Sequence, residues 1–155
     1  MITIKEDVQE THTFSLLVDN EAGVLARVIG LFSGRGYNIE SLTVAEVDKD
    51  FHTSRITIVS KGSPKTIDQI KRHLERLVPV HKVTDLTIEG PSVEREMALI
   101  KVLYTNENKE EILRLVEIYR AKIVDTTDKS FVFELTGAMD KINSFIDLLR
   151  PLGLN

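Results

Sequence analysis

The chain has 155 residues, 42% of them hydrophobic and 28% charged, with a net charge of −4 and no cysteine. That length suits one ordinary domain or two small ones, the composition is that of a globular protein, and the negative balance argues against nucleic acid as the main partner. Disulfides are excluded, no apolar run approaches the ~20 residues of a membrane span, and MITIKEDVQETHT has no apolar stretch of secretory type, so a cytoplasmic protein without membrane attachment is expected.

Residues 1–11 are mostly polar and read as an N-terminal arm. Residues 13–18 predict a strand with Phe14, Leu16 and Val18 on one face. The polar hinge Asn20-Glu21-Ala22-Gly23 follows, then a helix to Arg35 with Val24, Leu25, Val28, Leu31 and Phe32 at helical spacing. Gly34 and Gly36 end it. A second strand is expected over 38–47, a turn at Asp48-Lys49-Asp50, and a third strand over 51–60, where Ile56 and Ile58 alternate. Ser63 and Pro64 read as N-cap and first position of a second helix, with Ile67, Ile70, Leu74, Leu77 and Val78 as its apolar stripe. Pro79 stops that helix, and residues 80–88 predict a fourth strand. The order βαββαβ with right-handed crossovers puts both helices on one face of an antiparallel sheet.

Glu89-Gly90-Pro91-Ser92 marks a linker, and the same order then begins again. A strand is expected over 97–105, and a helix over 109–120 carrying Ile112, Leu115, Val116 and Tyr119. Strands over 123–127 and 131–136 follow, joined by a turn at Asp128-Lys129, and then a helix over 138–150 carrying Ile142, Phe145, Ile146 and Leu149. Only Leu152-Gly153-Leu154-Asn155 remain after Pro151, too few for a fourth strand. The fold class is therefore α+β: two ferredoxin-like βαββαβ domains, the second lacking its last strand. The boundaries are 12–89 for the first domain, 90–95 for the linker and 96–155 for the second domain.

No nucleophile motif, P-loop or GxGxxG is present. His12, His52, His73 and His81 are scattered without metal-ligand spacing, and each reads as an ordinary surface or edge histidine. Arg27, Arg35, Lys49, Arg55 and Lys61 could serve an RNA-recognition sheet only beside exposed aromatics, and aromatics are 6% of the chain. The hinge is the more informative feature. It lies at a helix N-terminus, where free backbone N–H groups suit an anion such as the carboxylate of a free amino acid. Gly23 lets backbone approach a ligand without a Cβ clash, and the Asn20 amide can donate to a carboxylate or accept from an ammonium.

NEAGVLARVIGLFSGRGYNIESLTV, over residues 20–44, closely resembles the N-terminal ACT domain of the small, regulatory subunit of acetolactate synthase. VEREMALIKV, residues 93–102, resembles the start of that family's C-terminal domain. The resemblance implies a chain with no catalytic site of its own. Its catalytic large subunit would carry thiamine diphosphate, magnesium and FAD; the Gly-Asp-Gly and Asn-Asn elements expected of thiamine diphosphate enzymes are missing here. It also implies homodimers paired through the ACT sheet edge. Valine, or leucine or isoleucine in its place, would bind between Asn20, Glu21, Ala22, Gly23, Val24 and Leu25 of one domain and Asn38 and Ile39 of the other. The expected function is activation of the catalytic subunit and feedback inhibition by valine in branched-chain amino-acid synthesis. Two rivals stay open: a stand-alone ACT sensor controlling another enzyme or a transcription factor, and a small enzyme on the same fold.

Overall fold

The computed structural model describes residues 8–154. The chain divides between Ser92 and Val93 into two compact units, each with its own apolar core.

The first unit runs β1 (Glu10–Asp19), α1 (Val24–Arg35), β2 (Ser41–Asp48), β3 (Thr53–Gly62), α2 (Pro64–Glu75) and β4 (Val80–Asp85). Its antiparallel sheet has the order β2-β3-β1-β4, so β2 and β4 are the edges. Alternation in β1 and β3 turns Phe14, Leu16, Val18, Ile56 and Ile58 to one face, where Val24, Val28 and Phe32 of α1 and Ile67, Ile70 and Leu74 of α2 close over them. Burying each of the larger side chains is worth roughly 1.5–3 kcal/mol, which fixes strand register and helix rotation together. Ser63 caps α2 as expected, its hydroxyl accepting from the Thr66 N–H at 3.3 Å.

Several expected boundaries move, each for a local reason. The polar arm ends sooner than residue 11, because Glu10 and Thr11 pair with Gly62 and Lys61 and belong to β1; residues 1–7 lie outside the described part. β2 starts at Ser41 instead of residue 38. β3 starts at Thr53, because the Asp48 carboxylate accepts from the N–H groups of Asp50 and Phe51 and holds the latter in the turn, 80% exposed. β4 ends at Asp85 instead of Ile88, because the Asp85 side chain takes the Thr87 N–H and bends the chain out of the ladder. In the helices, Leu25 and Val78 leave the predicted apolar stripes: Leu25 is partly solvent-facing and Val78, beyond the end of α2, is almost fully so.

His12 departs furthest from its expectation. It is buried, in phase with Phe14 and Leu16 on the inner face of β1. Its Nδ1 donates to Asp85 at 2.7 Å and its Nε2 to Glu10 at 3.0 Å. Burial pulls its pKa down, but the hydrogen bonds and negative charges of Asp85 and Glu10 outweigh that, and the value is raised.

The second unit runs β5 (Glu96–Leu103), α3 (Lys109–Tyr119), β6 (Lys122–Thr126), β7 (Ser130–Gly137) and α4 (Met139–Leu149), followed by a short 3-10 turn (Arg150–Leu152). The sheet order is β5-β7-β6. Ile100, Val102, Phe131, Phe133 and Leu135 meet Ile112 and Val116 of α3 and Ile142, Phe145 and Leu149 of α4. The place of a fourth strand lies alongside β5. Leu154 forms a bridge with Val102, and the Leu103 N–H donates to the Gly153 carbonyl at 2.8 Å. Among the described residues Leu154 alone occupies that place, and the βαββα part of the expected order is complete.

Candidate effector site

The hinge after β1 is held from both sides. The Asp19 N–H donates to the Pro79 carbonyl at 2.9 Å, and the Asn20 N–H to the His52 carbonyl at 2.6 Å. The Asp19 carboxylate also receives the His81 ring at 2.5 Å. The hinge is therefore fastened to the start of β4 and to the β2–β3 turn, and α1 must begin at a fixed place. Gly23 is its N-cap, with φ +89°, a left-handed conformation where an N-cap is ordinarily extended. No side chain caps α1 and no acidic residue lies in its first turn; the Val24 N–H donates to the Glu21 carbonyl at 3.4 Å. Nothing lies within 4 Å of the position a Cβ would take at Gly23, so the approach to the backbone there is open.

Beside this helix end is a shallow cavity of about 50 Å³. Asn20, Glu21, Val24 and Leu25 line it together with Asp19, Val18, Val44, Ser54 and Ile56. Sequence reasoning named the first four and missed the rest. Their signal is the pairing register. Val44 lies opposite Ile56 across β2 and β3, and Val18 opposite Ser54 across β1 and β3. These cross-strand rows bring the edge strand β2 into the cavity wall, and only the folded sheet reveals them. Chemically the wall is mixed: an apolar floor, two carboxylates and an amide at the rim, and main-chain N–H groups at the uncapped helix end. The concavity is shallow and open to solvent on the side of the edge strand β2.

Ala22 and Gly23 lie on the hinge itself, both exposed and outside the cavity wall. Asn38 and Ile39 are elsewhere. They follow the C-terminal end of α1, so the 12-residue helix separates them from the hinge by ~18 Å. They do not begin β2, as expected; they lie just ahead of it, with the Asn38 carbonyl accepting from the Ser60 hydroxyl at 2.5 Å. Asn38 has no positive φ and lies in ordinary backbone. Its amide donates to Glu40 at 2.7 Å, and Ile39 packs half-buried against the core. One copy of the chain therefore brings Asn20, Glu21, Val24 and Leu25 together and keeps Asn38 and Ile39 apart from them. Among the described residues no group of three or more His, Asp or Glu side chains is placed to hold a metal ion, and no helix is long and apolar enough to cross a membrane.

Known proteins place this architecture. Residues 14–82 match the family described as an AHAS small subunit-like ACT domain, and residues 95–155 the family described as the small subunit of acetolactate synthase. A probable acetolactate synthase small subunit of Archaeoglobus fulgidus is 48% identical over 92% of this chain and 88% of its own length. The acetolactate synthase isozyme 3 small subunit of Escherichia coli is 44% identical over 89% of this chain and 83% of its own. The crystal structure of the acetolactate synthase small subunit from Thermotoga maritima superposes with a TM-score of 0.83 at 44% identity, covering 94% of this chain and 90% of that one. With both units matched in order and relatives alike over most of their length, the chain belongs to the acetolactate synthase small-subunit family, its first unit an ACT domain.

Proposed function

We propose that this chain activates the catalytic subunit of acetolactate synthase and makes it subject to feedback inhibition by valine, which binds between two ACT domains of a homodimer. The observation that carries the reading is the half-site at the sheet edge: a shallow, open cavity at an uncapped helix N-terminus, with a wall residue, Val44, on the unpaired edge strand β2. In a two-fold pairing of β2 with β2, the strands run antiparallel. The start of one β2 then lies beside the end of the other, and Asn38 and Ile39 of one copy come toward the hinge of its partner. That supplies the second half that a single chain lacks. The ligand's carboxylate would take the N–H groups at Gly23 and Leu25, the Val24 N–H being held by the Glu21 carbonyl, and its ammonium the Asn20 carbonyl or the Asp19 and Glu21 carboxylates. Its isopropyl group would rest on Val24, Val44 and Ile56.

On this reading the reaction chemistry, with thiamine diphosphate, magnesium and FAD, belongs to the large subunit, and the site of action is the cytoplasm. Calorimetry of the purified chain against valine, leucine and isoleucine, with sedimentation at micromolar concentration, tests it. A dimer that binds valine, one per ACT domain, is expected. A monomer with and without valine, or a dimer that binds none of the three, contradicts an interfacial effector site.

A further inference from the structure

The helix side of the first unit carries a second concavity. Between α1 and α2 lies a cavity of about 490 Å³, within the roughly 300–1,000 Å³ range of small-molecule sites. One wall is Arg27, Leu31 and Arg35, which share a face of α1 at four-residue spacing; the other is His73, Arg76 and Leu77 at the end of α2. None of these three guanidinium groups has an ion pair or hydrogen bond among the described residues, and no carboxylate lines the cavity. Arg72, also on α2, pairs with Asp68, and Arg150 with Asp147, whereas Arg27, Arg35 and Arg76 line one cavity with no carboxylate among them. In a chain with 24 acidic and 20 basic residues, a patch of cations without a counter-charge runs against the average.

Helix dipoles account for part of the patch. Arg35 and His73 lie in last turns and Arg76 is the C-cap of α2, where a cation is favoured. Arg27 is the fourth residue of α1, toward the positive end of that helix, where a cation is not favoured. The charges also act on one another. His73 is held below its ordinary pKa, first by partial burial and then by Arg35 and Arg76.

We infer that this groove binds a phosphate-bearing small molecule, an extended polyanion of the di- or triphosphate class, held by Arg27, Arg35 and Arg76 over the apolar floor of Leu31 and Leu77. Arg27 and Arg35 leave the helix ~12 Å apart, more than one phosphate group spans, so an extended anion fits the spacing better than a single one. This site lies on the helices and stands independently of the valine reading at the sheet edge.

The test is calorimetry of the full chain with sodium tripolyphosphate at constant ionic strength. Saturable binding of one anion per chain is expected. Arg27→Gln and Arg76→Gln should each weaken it about tenfold or more, the loss of one charge-assisted contact, while Arg72→Gln leaves it unchanged. Arg27 and Arg76 are exposed with unpaired guanidinium groups, and Arg72 is exposed in a surface pair with Asp68, so unaltered melting curves identify the variants as folded. Heat that never saturates overturns the proposal, as does equal weakening by Arg72→Gln, which marks plain charge screening. A triple variant at Arg27, Arg35 and Arg76 that still binds tripolyphosphate but no longer activates the large subunit also overturns it, because the patch would then dock a protein.

Discussion

His12 joins the start of β1 to the end of β4 through two carboxylates, Glu10 and Asp85, and Asp85 in turn holds the Thr87 N–H. A raised folded pKa means the imidazolium is the favoured form there. Its contribution to stability is complete below the ordinary histidine value of about 6.5 and is lost as pH rises through the folded value. His12→Gln should therefore cost about 2–3 kcal/mol at pH 6, and the melting-temperature gap to the wild type should narrow as pH rises above the ordinary histidine range. A gap that stays constant as pH rises would show that the ring acts through packing alone. At Gly23 the two effects of a side chain separate. The left-handed backbone makes Gly23→Asp cost about 1 kcal/mol, while the absence of any neighbour near a Cβ leaves the fold intact. The new carboxylate would occupy the ligand's place, so valine binding should disappear from a folded, dimeric variant. Normal valine affinity in that variant would place the ligand elsewhere.

At the scale of elements, what the sequence discloses is periodicity and caps. The stripes Val24, Val28, Phe32 and Ile67, Ile70, Leu74 face the core as their spacing requires, and Ser63 caps α2 through a bond predictable from Ser-Pro alone. Ser63→Ala should lower stability by about 1 kcal/mol in denaturant titration, with no change in the cooperativity of the first unit. Boundaries set by side chains folding back on the main chain were not legible: Asp48 delays β3 and Asp85 shortens β4, since a carboxylate reads the same in a turn as on a surface. The hinge was legible in part. Asn20 to Leu25 stand out as a polar break before a helix, whereas Val44, Ser54 and Asp19 join the cavity only through register, a property of strand pairs and not of any one segment. Gly153 shows the same limit. In the sequence it is one glycine near the end; in the structure its φ is +116° and an added Cβ would sit 2.1 Å from the Leu103 carbonyl oxygen. Gly153→Ala should destabilise the second unit by about 2 kcal/mol or more, because the bridge of Leu154 to Val102 must open to relieve the clash. An unchanged melting curve would mean that the bridge between Leu154 and Val102 contributes nothing.

At the scale of the whole molecule, two separate cores predict two separable activities. The first unit closes its own core with residues from β1 through β4, so a fragment ending at Ser92 should fold, dimerise and bind valine by itself. Coupling is another matter. Inhibition of a partner requires that the ligand favour one of two assembled states, and binding alone does not supply that difference. The most direct measurement is therefore made on the assembled enzyme: acetolactate formation by the purified large subunit, with and without this chain, across a valine titration, in parallel with Gly23→Asp. The account predicts that the chain raises activity, that valine lowers it again, and that Gly23→Asp still raises activity but is blind to valine. A chain that leaves the large subunit's rate unchanged, or a Gly23→Asp variant inhibited by valine like the wild type, would contradict it.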